Sequence, residues 1–131
     1  MMRRLALGLL MLVIACSDDD ITDSSTTTGS YSLRTVNGAA LPYTITSGTS
    51  AGTVIIDEVM NLYQGGTFAG TRHFRATANG PIETRSETGA YTLFGTSISF
   101  RVNETGLTKI AIGDATRMTF VEQGITMVFT K

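Results

Sequence analysis

The side chains best suited to covalent or acid–base chemistry are the thiol of Cys16 and the imidazole of His73. Each is the only residue of its type among 131 residues. A single cysteine gives neither a disulfide framework nor a CxxC motif. A single histidine with no second cysteine falls short of the ligands that a usual zinc site needs. We therefore expect no metal site and no cofactor, and we consider the two side chains separately.

His73 could act as a general base only if another group oriented its ring. Glu83 and Glu87 follow on the next predicted strand and could reach it across the hairpin. A cross-strand charge pair on a solvated sheet face explains the same spacing. Gly48-Thr49-Ser50-Ala51-Gly52 has the G-x-S-x-G spacing, but it lies in a predicted loop and not in a strand–turn–helix elbow, and the chain has no P-loop lysine. We expect no enzymatic activity and no catalytic residue.

Cys16 ends an N-terminal apolar segment. Met1-Met2-Arg3-Arg4 forms a short basic region, and every residue from Leu5 to Ala15 is apolar or small. At about 1.5 Å per residue this run is too short to span a bilayer, which takes about 20 residues. The pattern is typical of the hydrophobic region of an export signal. Residues 1–15 are thus predicted to be a signal peptide.

The end of this segment, Val13-Ile14-Ala15-Cys16, resembles the lipobox of bacterial lipoproteins. The resemblance implies that the Cys16 sulfur carries a diacylglyceryl group, that the chain is cut before Cys16 and that the new amino group is acylated. Two or more acyl chains give stable anchoring. We therefore predict lipidation at Cys16 and a lipid-anchored location in the bacterial cell envelope. Ser17 after the cysteine favours the outer membrane.

Residues 17–28 contain one sizeable apolar side chain, Ile21, and four aspartates. Such a segment buries too little surface to offset the entropy of ordering, so residues 16–28 are predicted to form a flexible acidic tether of about 20 Å average reach. Asp18, Asp19 and Asp20 lack the glycine and later glutamate of a calcium loop. We interpret them as part of a solvated spacer.

The remaining residues, 29–131, are nearly neutral. Of the 10 basic residues, Arg3 and Arg4 lie in the signal, and four of the 11 acidic residues lie in the tether, which leaves 8 against 7. Binding to nucleic acid needs a concentrated basic surface. Because the Lys and Arg residues are scattered, nucleic acid is not an expected partner.

Residues 29–131 show an all-β pattern. Apolar residues recur with period two in short runs, and Gly, Asn and Asp separate the runs at intervals of about ten. We predict eight to ten strands. The long run 53–63 is predicted as two strands separated by a turn or bulge near Asp57-Glu58, and 82–88 as an exposed edge strand before a separate strand at 90–94.

Short links leave no room for parallel crossovers, so the strands form an antiparallel meander. A meander of this size becomes a sandwich or closes into a small barrel, and closure removes the edge strands. The segments Gly29–Gly38, Gly89–Leu93 and Gly124–Lys131 are similar to small bacterial lipocalin-like lipoproteins, in which G-x-Y strands and a final strand ending in Val-Phe plus a basic residue recur. The resemblance implies a lipocalin-like barrel over residues 29–131, in a family without an assigned activity.

Two functional hypotheses follow. In the first, an apolar lumen binds a lipid or another small hydrophobic ligand, and Arg72 at the mouth meets its acidic head group. The predicted ligand-binding residues are Leu33, Phe68, Arg72, Phe74, Tyr91, Phe100 and Phe120. In the second, these aromatic side chains fill the core, and the domain is a structural module that contacts an envelope protein. An open apolar cavity of about 300 Å³ or more favours the first hypothesis.

Overall fold

The computed structural model describes residues 27–131, so the predicted signal peptide, Cys16 and nearly all of the predicted tether lie outside the described residues. Within the described part the strands pair in antiparallel fashion, in the order β2-β1-β10-β9-β8-β7-β6-β5-β4-β3. The prediction of an all-β antiparallel meander is confirmed. The strands are β1 (Gly29–Val36), β2 (Ala39–Ala40), β3 (Tyr43–Thr44), β4 (Val54–Leu62), β5 (Thr67–Arg75), β6 (Ile82–Phe94), β7 (Ser97–Val102), β8 (Thr108–Gly113), β9 (Arg117–Glu122) and β10 (Ile125–Thr130).

The barrel closes through β1, which pairs with two strands. Gly29–Ser32 pair with Val59–Leu62 of β4, and Ser32–Val36 pair with Met127–Thr130 of β10. The short strands β2 and β3 pair with the other ends of β1 and β4. Eight strands, β1 and β4 to β10, therefore form a closed barrel, as predicted.

The strand directions define two ends of the barrel. The lower end holds Gly29 and the turns β4–β5, β6–β7 and β8–β9. The upper end holds the β3–β4, β5–β6, β7–β8 and β9–β10 connections. In an antiparallel meander successive turns alternate between the ends, so side chains far apart in sequence meet at each of them.

The run that was predicted as two strands around Asp57-Glu58 is one nine-residue strand, β4. A register shift is present next to Asp57, where a turn or bulge was predicted, but the prediction of two strands is wrong because the shift affects only the pairing with β5 between Ile55 and Asp57, and pairing resumes on both sides. A bulge adds one residue and so shifts the later residues to the opposite face. As a result Ile55 and Glu58 are both buried.

The two strands predicted at 82–88 and 90–94 are also one strand, β6, of 13 residues. It pairs with β5 from Ile82 to Ala90 and with β7 from Gly89 to Phe94. Residues 82–86 are exposed, as predicted for this polar run. The strand is continuous because Gly89 lets the chain pass close to β7: a Cβ atom at Gly89 would clash with the Arg101 carbonyl and with the Phe68 ring.

Aromatic side chains fill the lower half of the barrel. Phe100 lies at the centre, with its ring centroid 5.1 Å from Phe68, 5.3 Å from Phe120 and 6.2 Å from Tyr91. Phe120 also packs against Phe129 at 5.5 Å. These five rings are at most 4% exposed, so they form a packed core.

Two tyrosine hydroxyls satisfy main-chain groups at the lower end. Tyr31 Oη donates to the Thr27 carbonyl at 2.7 Å, and Tyr91 Oη donates to the Tyr63 carbonyl at 2.8 Å. Thr27 is itself buried. The lower end is therefore covered by side chains and by the chain that enters β1.

Candidate functional site

The upper half of the barrel interior is charged where the lower half is aromatic. Arg72 on β5 donates from Nε to Glu58 Oε2 on β4 at 2.6 Å and from Nη2 to Met127 Sδ at 3.5 Å. Glu58 is only 7% exposed. A buried charge needs an opposite partner and hydrogen bonds. The partner of the inward-facing Arg72 is therefore Glu58.

Three further strands add charged groups above this pair. Lys109 Nζ on β8 lies 2.9 Å from Glu87 Oε2 on β6 and 3.1 Å from Glu122 Oε1 on β9. Arg85 on β6 is held more loosely, with Nη2 3.9 Å from Glu87 Oε1 and about half of its side chain exposed. We call these residues the charged cluster: Glu58, Arg72, Arg85, Glu87, Lys109 and Glu122. Its three cations and three anions balance.

Burial raises the pKa of the Glu58 carboxyl above its ordinary value. Desolvation disfavours the charged form, and the Arg72 guanidinium lowers the pKa and so opposes this effect. Among the described residues every buried side-chain nitrogen or oxygen has a hydrogen-bond partner. The deep part of the cluster is therefore self-satisfied, and Arg85 at its outer edge is the cation most available to a ligand.

The barrel opens at the upper end above the charged cluster. A cavity of about 110 Å³ is lined by apolar Ile45, Ile55, Ile125 and Met127 and by polar Ser50, Arg72, Arg85, Glu122 and Gln123. A trough of about 370 Å³ adjoins it and shares Arg85, Glu122 and Gln123. We call the cavity and the trough together the mouth. The mouth thus combines aliphatic walls with one loosely paired arginine.

Almost no space remains between the mouth and the aromatic core. The gap beside Glu58, Arg72, Met60, Phe120 and Phe129 measures about 10 Å³. A single water molecule needs about 10 to 15 Å³. The lower half is therefore sealed from the mouth in this structure.

The seven predicted ligand-binding residues lie in different parts of the barrel. Arg72 lines the mouth cavity. Phe74 is half-buried on β5, opposite Ile55. The other five lie together in the packed core: Leu33, Phe68, Tyr91, Phe100 and Phe120.

Sequence reasoning missed Arg85, Lys109 and Glu122 as parts of the site. Arg85 belongs to the run that was predicted as an exposed edge, and Lys109 and Glu122 lie next to turns. Lys109 and Glu122 each lie two positions from a buried apolar residue, Ala111 and Phe120 respectively. This spacing of two was a signal that Lys109 and Glu122 face the interior.

His73 pairs with Asp57, not with Glu83 or Glu87. Its Nδ1 lies 2.5 Å from Asp57 Oδ1, and both side chains are about half exposed. Glu87 instead faces the interior and contacts Lys109. Surface pairs of this kind contribute little to stability, and this one lies apart from the residues that line the mouth.

Among residues 27–131 no three His, Cys, Asp or Glu side chains are grouped so as to hold a metal ion. No helix there has the length and hydrophobicity to span a membrane.

No family model matches the chain, and no curated protein matches it. The chain is similar to a lipocalin-like protein from Bacteroides uniformis ATCC 8492, known from a crystal structure, with 19% sequence identity and a TM-score of 0.48. The similarity covers 81% of this chain and 98% of that chain. The assignment of a closed barrel to this chain follows from the strand pairing described above.

Proposed function

We propose that this protein binds a small amphipathic anion at the mouth of its barrel, and that acylated Cys16 holds the barrel at a bacterial membrane surface. The observation that carries the binding proposal is the mouth, in which aliphatic side chains adjoin Arg85 above a sealed core. Ligand sites typically combine apolar walls with a few polar groups that fix orientation.

The two parts of the mouth suit the two parts of such a ligand. The cavity of about 110 Å³ accepts a short apolar group against Ile45, Ile55 and Ile125. The larger trough leaves room for a head group beside Arg85. A guanidinium donates two parallel hydrogen bonds to a carboxylate or phosphate. The sealed core supports a ligand at the mouth over a hydrophobic ligand deep among the phenylalanines.

Octanoate and octanol provide a matched pair of probes, because they differ in the charged head group. We expect the full-length protein to bind octanoate more tightly than octanol in a calorimetric titration. Arg85→Gln should weaken octanoate binding by about tenfold, since a hydrogen bond to a charged group contributes about 1.5 to 3 kcal/mol. Arg101→Gln, on the outer wall, is the control and should bind as the wild type does.

Absence of octanoate binding, or equal affinity in the wild type and Arg85→Gln, would contradict the binding proposal. Native mass spectrometry of the protein from its own host then decides between the two functional hypotheses. A co-purifying small molecule favours ligand binding. A protein with none in repeated preparations favours the structural module that contacts an envelope protein.

The anchoring proposal rests on the sequence of residues 1–16, which lie outside the described residues. Cys16→Ala should abolish recovery of the protein in the membrane fraction, because the residue that carries the acyl chains is lost. Ser17→Ala, next to the modified residue, is the control and should still fractionate with membranes. Recovery of Cys16→Ala in the membrane pellet at the wild-type level would refute the anchor.

A further inference from the structure

The outer wall of β6, β8 and β9 carries a group of large apolar side chains in water. Phe94, Ile110, Ile112 and Val121 are between 61% and 85% exposed. Phe94 and Ile112 are both paired with Ser97 of β7, on either side of it. We call these four residues the apolar face. Neighbouring exposed apolar residues of this size indicate a contact surface.

The charged side chains on the outer wall of β7, β8 and β9 are basic, and the acidic side chains Glu104 and Asp114 lie in the turns that follow β7 and β8. The outward positions of β7, β8 and β9 include Arg101 and Arg117 but no aspartate or glutamate. Asp114 lies in the β8–β9 turn, where its Oδ1 accepts hydrogen bonds from the backbone amides of Thr116 and Arg117 at 2.8 and 3.1 Å. An apolar surface flanked by arginines is complementary to a bilayer that contains anionic lipid.

The segment that leads into β1 joins the barrel near the apolar face. Thr27 lines a groove of about 330 Å³ at the lower end, together with Gly95 and Thr96 of the β6–β7 turn and Gly113 and Asp114 at the β8–β9 turn. These turns belong to the strands that carry Phe94 and Ile112. The segment before Thr27 therefore joins the barrel next to the lower part of the apolar face.

The length of that segment limits how far the barrel can lie from its anchor. Cys16 precedes Thr27 by eleven residues. A flexible chain of this length has an average reach of about 18 Å, which is comparable to the size of the barrel. An anchored barrel that is joined at this point has its apolar face close to the lipid.

We propose that the apolar face is the surface on which the anchored barrel rests on the membrane. Phe94 and Ile112 enter the interfacial region of the bilayer, and Arg101 and Arg117 contact anionic head groups. This inference rests on the anchoring in the proposed function, and it adds an orientation: the outer wall of β6, β8 and β9, and not the end of the barrel that holds the mouth, faces the lipid to which the chain is attached.

The absence of tryptophan from the chain allows a direct test. Phe94→Trp places a single fluorophore on the apolar face. Ile82→Trp is the matched control, since Ile82 is exposed on the same strand, twelve positions away, or about 40 Å at 3.3 Å per residue. Each full-length lipidated variant is reconstituted into vesicles of phosphatidylcholine and phosphatidylglycerol, with brominated phosphatidylcholine as the quencher.

We expect the emission of Trp in Phe94→Trp to shift to the blue and to be quenched several-fold more than that of Ile82→Trp. Adding Ile110→Ser and Ile112→Ser to Phe94→Trp should reduce the quenching without loss of the fold, because both side chains are exposed. Omitting phosphatidylglycerol should reduce it as well, since the arginines then lack anionic partners.

Three outcomes would overturn the inference. Equal quenching of the two variants in the vesicle fraction shows that the barrel does not contact lipid preferentially through the apolar face, and it leaves the anchor intact. A blue shift without bromine quenching shows that protein covers the face, either a second copy or another partner. A chain that is absent from the vesicle fraction refutes the anchoring and this inference with it.

Discussion

The two halves of the barrel interior solve the problem of burial in different ways. The lower half excludes water with interlocking rings around Phe100 and needs polar groups only at its end, where Tyr31 and Tyr91 bind main-chain carbonyls. The upper half holds charges that must be paired one by one, as in Glu58 with Arg72. The difference shows that an apolar core can exclude water through close packing alone, whereas a charged interior remains close to water and accessible to a ligand.

The largest expected effect comes from the lower half. Phe100→Ala should lower the free energy of unfolding by about 3 to 5 kcal/mol, because Phe100 is fully buried and its ring contacts three others. Phe94→Ala, at an 85% exposed position, is the control and should change stability by less than about 0.5 kcal/mol. Urea denaturation measures both variants, and a Phe100→Ala loss below about 1 kcal/mol would show that the lower half is loosely packed.

A smaller effect with a specific rescue is expected in the upper half. Arg72→Met should cost about 3 kcal/mol, because Glu58 then lies buried without its counter-charge. The double variant Glu58→Leu, Arg72→Met should recover to within about 1 kcal/mol of the wild type, since a matched apolar pair often replaces a buried ion pair without loss. No recovery in the double variant would mean that the ion pair itself stabilises the barrel.

The single Arg72→Met variant should also depend on pH. Burial already raises the pKa of Glu58 with Arg72 present, and removing the guanidinium raises the pKa further. The folded state then binds a proton more tightly than the unfolded state, so the free energy of unfolding rises as pH falls. The deficit of Arg72→Met relative to the double variant should therefore be smaller in mildly acidic than in neutral buffer. A deficit that does not change with pH would contradict the burial of Glu58.

The smallest effect concerns the lower end at high pH. Burial, with contributions from Asp114 and Tyr91, raises the pKa of Tyr31 from 10.0 to about 12. Between these values the unfolded chain loses the proton while the folded chain keeps it, so the free energy of unfolding should fall over this window. Tyr31→Phe has no phenol to titrate, so its free energy of unfolding should not fall over this window. At neutral pH the variant should be about 1 kcal/mol less stable than the wild type, because the hydrogen bond to the Thr27 carbonyl is lost. Tyr63→Phe is the control, because Tyr63 is half-exposed. If the free energy of unfolding of Tyr31→Phe fell with rising pH as much as that of the wild type, Tyr31 would not be the group responsible.

Much of this architecture could be predicted from the sequence, because period-two alternation and turn residues are local signals. They give the antiparallel meander, and closure follows because it removes the edge strands. Glu58 was missed because the sequence predicted a turn or bulge near Asp57-Glu58 but not which residue is inserted, and the place of the insertion decides whether Glu58 faces the interior. Arg72 was predicted at the mouth, but its other charged residues were missed for another reason: Arg85, Lys109 and Glu122 come from three strands, and only the register between strands brings them together.

Methionine methyl signals test the central claim, that ligands bind at the mouth and do not enter the lower half. Met127 lines the mouth cavity, and Met118 is fully buried on the neighbouring strand, opposite Phe129. In an NMR titration of ¹³C-methyl-labelled protein with octanoate, we expect the Met127 methyl to shift and saturate while the Met118 methyl stays in place, and Arg85→Gln should weaken the response. A shift of Met118 together with Met127 would show that the ligand enters the aromatic core, and an unchanged Met127 would show that the mouth does not bind it.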